Sequence, residues 1–243
     1  MAVSIFALSL SYFLLSVPLS YLFRVPGASG ALVGGYVIGI IVSFSLILKS
    51  GIKLRVQREH YKEFMKIFSF AIPVSIFSLS LVLLFNADIY ILAHFFGPSI
   101  VGIYGMASPT AGVVPSFAIA LSAVLLPELS KLKSMEKEGI ESIKVSLKAS
   151  FDITLPVALS LFAFSTPIIY FLFGIKEGGW VLKLLSIGML FYSVFYIAST
   201  SIQAMGKQWT PMKITVLIAG INVILNYLWI PKYDINGAAF ATM

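Results

Sequence analysis

The sequence predicts an all-α fold, a polytopic bundle of transmembrane helices, and three observations support this prediction. Of the 243 residues, 59% are hydrophobic and only 11% are charged, and the mean hydropathy is +0.98. Soluble domains carry about 25% charged residues, so this chain lacks the charge to cover a water-facing surface. The apolar residues form long runs, and most basic residues lie in the short segments between them.

Seven apolar runs are long enough to cross a bilayer, for which a helix needs about 20 residues. An eighth run begins at Gly237 and is interrupted at Met243. Runs of this length without strict alternation favour helices over barrel strands, which would be about ten residues long. The seven predicted spans are residues 2–23, 30–48, 67–93, 101–127, 151–173, 181–204 and 211–230.

The basic residues predict the orientation of these spans. Thirteen Lys and Arg residues fall in the segments of one side of the membrane and four in those of the other. Cytoplasmic loops carry the excess of Lys and Arg, so we expect the N-terminus and the basic loops to be cytoplasmic in a multi-pass protein of the cell membrane. The net charge of +7 therefore indicates orientation and contact with anionic lipid, and not nucleic-acid binding.

Two of the cytoplasmic segments are longer than turns. Residues 49–66 form a charged linker between the second and third spans. Residues 131–148 have the pattern of an amphipathic helix, with Ile140, Ile143 and Leu147 on one face. Such a helix could lie at the lipid head groups, and a solvated connector is the alternative.

A short pattern occurs twice, where span one leads into span two and where span seven leads into span eight. Each connection is short and ends in a Gly-Ala pair, Gly30-Ala31 and Gly237-Ala238. Six spans separate the two, so equivalent helices point the same way through the membrane, as in transporters built from parallel repeats. We therefore expect a fragment that lacks four upstream helices and most of one downstream helix.

The order of several motifs resembles the polysaccharide-type, Wzx-like flippases of the multidrug/oligosaccharidyl-lipid/polysaccharide exporter superfamily, over nearly the whole chain. The motifs are Ala71-Ile72-Pro73, Asn86-Ala87-Asp88, Gly102-Ile103-Tyr104, Leu126-Pro127-Glu128, Leu155-Pro156, Ala204-Met205-Gly206-Lys207, Asn222 with Asn226, and Ile230-Pro231-Lys232.

This resemblance implies a two-lobed flippase fold, of which the chain is part. Residues 1–48 would end the N-terminal lobe, residues 49–66 would link the lobes, and residues 67–243 would form a truncated C-terminal lobe. It also implies a monomer that moves a lipid-linked oligosaccharide from the cytoplasmic to the outer leaflet by alternating access, coupled to protons or sodium ions.

Two other classes remain as alternatives. A multidrug and toxin extruder of the same superfamily would use a carboxylate for cation coupling. A membrane-embedded glycosyltransferase or ligase is disfavoured, because it would need an acidic motif in a large loop and the long loops here are basic. The sequence shows no enzyme motif, no cofactor motif and no cysteine. His60 and His94 are predicted on opposite sides of the membrane, so no metal site is expected.

Five polar residues are candidates for the transport cavity or for coupling: Asp88, Asn86, Gln203, Asn222 and Asn226. A carboxylate within a span usually faces a cavity or a partner, although Asp88 lies near the outer end of its span and could be an interfacial cap. Asn222 and Asn226 are four residues apart and share one helical face, where they could bind helices together or line a polar path.

Two basic residues near the outer side, Arg24 and Lys183, are candidates for contact with the substrate head group. Both could equally extend to lipid head groups. No basic residue lies in the middle of a predicted span, so a deep cation for a pyrophosphate cargo would have to come from helices outside this sequence.

Overall fold

The computed structural model describes residues 2–49, 61–131 and 136–243, and the regular structure within them is helical. The helices form two compact units, Met1–Tyr61 and Lys62–Met243. Most of the predicted linker, residues 50–60, and His60 with it, lies outside the described residues. The helices are α1 (Ala2–Lys49), α2 (Tyr61–Phe95), α3 (Pro98–Ala111), α4 (Val113–Lys131), α5 (Glu136–Ala163), α6 (Ser165–Phe173), α7 (Gly179–Ala204) and α8 (Trp209–Thr242).

Burial in both units follows the pattern of a membrane protein. Large apolar side chains such as Phe13, Ile40 and Phe171 are exposed, whereas small polar side chains such as Thr154 and Ser193 are buried. Helices in lipid pack through small residues and turn their large apolar residues to the lipid tails. The predicted all-helical membrane fold is confirmed.

Five described segments are long and apolar enough to cross a membrane: Pro26–Leu46, Ile67–Phe95, Ile140–Ala163, Gly179–Ala204 and Trp209–Thr242. The pair Pro98–Ala111 and Val113–Pro127, bent by 41°, adds a sixth if it is one broken span. The first predicted run, residues 2–23, is helical but is not among these segments.

The bend between α3 and α4 replaces the straight span predicted over residues 101–127. It lies at Gly112, between Pro109 and Pro115. A proline inside a helix removes a backbone donor and clashes with the carbonyl four residues earlier, so two prolines this close together explain the bend.

The helix that covers the start of the predicted span 151–173 begins earlier in the chain, and it is interrupted within that span. Residues 136–163 form one continuous helix, and the helix breaks at Phe164, three residues before Pro167. The segment Ile140–Ala163 is long and apolar enough to cross a membrane, and the described part of the amphipathic segment predicted at residues 131–148 is continuous with it from Glu136. Its buried face carries Ser146, Ser150 and Thr154, whereas Ile140 is exposed.

The first unit is a helical hairpin. Backbone angles are helical on both sides of Arg24, which itself has φ 54° and ψ −130°. The two arms then run side by side, because Gly34 lies against Leu15 and Gly27 against the Leu19 carbonyl. A Cβ on Gly27 would overlap that carbonyl oxygen, so only glycine fits there.

The second unit packs around α7, whose buried residues include Leu182, Leu185 and Met189. Within this unit α8 forms a second hairpin, with a first arm (residues 209–233) and a second arm (residues 235–242) on either side of Asp234 at φ 51° and ψ −134°. Gly237 lies against the Trp229 carbonyl, 2.5 Å from the position of its Cβ.

The two hairpins correct the register of the sequence repeat. Arg24 matches Asp234 in backbone angles, and three residues later Gly27 matches Gly237 in its approach to a carbonyl eight residues upstream. Gly30, which we paired with Gly237 from the sequence, has nothing within 4 Å of the position of its Cβ. The pair equivalent to Gly237-Ala238 is therefore Gly27-Ala28, and the steric need for glycine distinguishes it from Gly30-Ala31.

Candidate transport site

Asp88 lies on α2 and is almost completely buried, with 1% of its surface exposed. Its Oδ1 accepts a hydrogen bond from the Ile89 N–H at 2.8 Å. Its Oδ2 accepts from the hydroxyl of Tyr104 and from the hydroxyl of Thr242 at 3.4 Å. The carboxylate thus joins α2 to α3 and to the second arm of α8, which is more than an interfacial cap would do.

Asn222 and Asn226 lie on one buried face of the first arm of α8, as their spacing predicted. The Asn222 amide donates to the Ala241 carbonyl at 3.0 Å and to the Thr242 hydroxyl at 3.4 Å. The Asn226 amide donates to Asn222 Oδ1 at 3.0 Å. These bonds close the hairpin, because they attach its second arm to its first.

Together these side chains form one polar network, Tyr104–Asp88–Thr242–Asn222–Asn226. Its last acceptor is free: Asn226 Oδ1 is buried and accepts no hydrogen bond from the described residues. A buried polar atom without a partner is costly and is satisfied in most proteins, by water or an ion if not by protein. Carboxylate, amide and hydroxyl oxygens are the ligands that hard cations prefer.

A cavity of about 330 Å³ opens beside this network. Residues of α2, α7 and α8 line it, and its walls are mostly apolar. Phe85 and Tyr192 meet edge to face on one wall, with ring centroids 4.7 Å apart. Asn222 and Thr242 supply polar groups to the lining, so the network borders space large enough for a small solute.

The other sequence candidates lie apart from this network. Asn86 donates to the Val82 carbonyl of its own helix at 2.7 Å, on a different face from Asp88. Gln203 is buried near the end of α7, and its Nε2 has no hydrogen-bond partner among the described residues.

The two basic candidates also take no part in the network's hydrogen bonds. The Lys183 ammonium lies 4.6 Å from the centroid of the Phe162 ring and 5.6 Å from that of Trp180, contacts typical of cation–π pairing. Arg24 belongs to the first unit, where it is exposed at the turn of the hairpin.

Two members of the network were not predicted from the sequence. Tyr104 was part of a motif but was not singled out, and Thr242 was the second-last residue of an apolar run. Thr242 reaches Asp88 only because α8 folds back at Asp234. The residue with positive φ at that turn is not a glycine, so nothing in the sequence marks the turn.

Known proteins resemble the chain over most of its length. It is 33% identical over 215 residues to the capsular polysaccharide biosynthesis protein CapF of Staphylococcus aureus, a match that covers 84% of this chain and 54% of that protein. It is 27% identical over 216 residues to the probable low-salt glycan biosynthesis flippase Agl15 of Haloferax volcanii, covering 87% of this chain and 46% of that one.

The fold matches that of a solved lipid II flippase MurJ in an inward closed conformation, with a TM-score of 0.70 and 23% identity, over 97% of this chain and 51% of the other. The protein is thus a polytopic helical membrane protein with a flippase fold. Residues 2–243 match the family described as lipid II flippase MurJ, and the chain belongs to that family.

The flippase resemblance seen in the sequence is confirmed by this membership. The chain spans about half the length of the relatives it matches.

Proposed function

We propose that this chain is part of a transporter that moves a lipid-linked oligosaccharide, a precursor of a surface polysaccharide, from the cytoplasmic to the outer leaflet by alternating access. Its membership of a flippase family supports this role. The names of the relatives refer to capsular polysaccharide and glycan biosynthesis, which supports an oligosaccharide cargo. We propose a monomer without a catalytic step.

The buried network around Asp88 carries the coupling part of the proposal. Burying a carboxylate within a membrane-spanning segment costs free energy, so such a residue usually marks an ion or proton site in transporters. We propose that Asp88 binds a monovalent cation, sodium or a proton, together with the oxygens of Asn222, Asn226 and Thr242. The free Asn226 Oδ1 favours a metal cation, which needs several oxygen ligands, over a proton, which needs one acceptor.

Replacement of Asp88 tests this coupling. Asp88→Asn removes the negative charge, and we expect it to lower the cation-gradient-driven flipping of a fluorescent lipid-linked oligosaccharide in vesicles by about tenfold or more. The full reading frame that contains this chain would be reconstituted. Asp152→Asn, the same change at an exposed residue of α5, is the matched control. Flipping by Asp88→Asn at the unmodified rate would contradict the proposal.

We further propose that the basic loops face the cytoplasm, with the protein in the cell membrane. The unequal distribution of Lys and Arg supports this orientation. The chain contains no cysteine, so a single cysteine at Lys207 would report its side of the membrane. We expect an impermeant maleimide to leave it unlabelled in intact cells and to label a cysteine at Lys176; the reverse pattern would refute the orientation.

The multidrug extruder remains a second candidate, because the cavity beside the network is mostly apolar and holds about 330 Å³. A small lipophilic cation would fit such a cavity better than a glycan. Cation-driven efflux of a fluorescent drug that is lost in Asp88→Asn, without oligosaccharide flipping in the unmodified protein, would favour this candidate.

A further inference from the structure

Tyr104 is completely buried in the core of the second unit, among residues such as Leu92, Leu182 and Met189. A phenylalanine would fill the same space without a polar atom that needs a partner. The tyrosine hydroxyl instead donates to Asp88 Oδ2. The residue therefore joins the core to the carboxylate and serves more than packing.

Three donors converge on Asp88. The Ile89 N–H binds Oδ1 at 2.8 Å, and the hydroxyls of Tyr104 and Thr242 both bind Oδ2. Hydrogen bonds donated to a carboxylate stabilise its charged form and are stronger than those between neutral groups. The protein thus supplies three dipoles that favour the charged form of the carboxylate.

We propose that Tyr104 stabilises the ionised Asp88 carboxylate in the part of the transport cycle when no cation is bound, and so allows the site to release its cation. This inference rests on the cation coupling proposed above. The hydroxyl dipole favours the bare anion more than the anion already neutralised by a cation. Tyr104 therefore weakens cation affinity, as a positioning residue that acts through Asp88.

The direction of this effect separates it from a structural role. Damage to the site would weaken cation binding, whereas removal of the hydroxyl alone should strengthen it. In Tyr104→Phe we expect the half-saturating sodium concentration to fall about three- to tenfold. This change in affinity corresponds to a fraction of the free energy of one charge-assisted hydrogen bond. Turnover should fall as well, because release becomes slower.

Sodium titration of the unfolding temperature measures this affinity, since a ligand L that binds only the folded state stabilises it by RT ln(1 + [L]/Kd), from which Kd is fitted. The protein from the same full reading frame, purified in detergent, would be titrated with sodium chloride against choline chloride at about pH 8.5, where protons compete least with sodium. Tyr196→Phe, which removes the hydroxyl of a half-buried tyrosine of α7, is the matched control and should leave the affinity unchanged.

A second variant covers the case in which Tyr104→Phe does not fold. Fluorotyrosine at position 104 keeps the shape and makes the hydroxyl a stronger donor, so it should raise the half-saturating sodium concentration. Unchanged affinity in both variants, or weaker binding in Tyr104→Phe, would overturn the inference and leave the coupling proposal intact. If the unmodified chain shows no sodium-dependent shift, the sodium coupling fails and this inference fails with it.

Discussion

The hairpin of α1 and the hairpin of α8 have the same backbone geometry at the turn but differ in their side chains. Each turns at one residue of positive φ, Arg24 or Asp234, and each needs glycine three residues later. In α1 the hydroxyls of Ser16 and Ser43 donate to carbonyls of their own arms, at 3.0 and 2.7 Å. In α8, by contrast, side chains bond across the hairpin and to α2.

The register of the two turns identifies the positions at which the two hairpins differ. Asn226 corresponds to Ser16, Asn222 to Tyr12 and Thr242 to Leu32. Tyr12 and Leu32 are exposed, whereas Asn222 is buried and holds the second arm of α8. The turn geometry is thus common to both hairpins, whereas the polar network belongs to the hairpin of α8. The same fold can occur with or without a given site.

Substitution of Gly27 tests the turn geometry that the two hairpins share, and we expect it to have the largest effect on stability. Gly27→Ala would place a Cβ in overlap with the Leu19 carbonyl oxygen, so the arms must separate, at a cost of about 3 kcal/mol. Gly30→Ala, with open space around it, should be neutral or stabilise the helix by up to about 1 kcal/mol. Unfolding of both variants in detergent would measure the difference. A greater loss in Gly30→Ala would restore the register first expected from the sequence.

Substitution of Asn222 tests the polar network, in which the two hairpins differ, and we expect a smaller effect on stability. Asn222→Ala removes the donor to the Ala241 carbonyl and leaves Asn226 without its acceptor, so we expect a loss of about 1–3 kcal/mol in unfolding free energy. Asn86→Ala loses only a bond to its own helix and should cost less than about 1 kcal/mol. Equal losses in the two variants would mean that the network adds nothing to the hairpin.

Much of the fold could be predicted from the sequence, because hydropathy is a local property. Long apolar runs identified most of the helices, and the four-residue spacing placed Asn222 and Asn226 on one face. Asp88 was singled out because its charge is costly in lipid. Each of these inferences needs only a stretch of sequence shorter than one helix.

The remaining features depend on contacts between distant residues. Nothing near Thr242 indicates that it meets Asp88, and nothing near Tyr104 indicates that its hydroxyl has an ionic partner. The sequence separated the amphipathic segment at residues 131–148 from the span that follows because its first turns are charged, whereas the structure joins them in one helix whose serine face packs into the unit. Hydropathy scales treat serine as polar, yet in lipid small hydroxyl residues favour helix packing.

The abrupt turn at Asp234 also bears on how the protein enters the membrane. The arms of α8 are joined at a single non-helical residue, which leaves no loop to cross the bilayer ahead of the second arm. The Asn222–Ala241 contact links residues less than one helix length apart, so it forms early and without a long closure. We therefore expect the two arms to insert together as one hairpin and not one after the other.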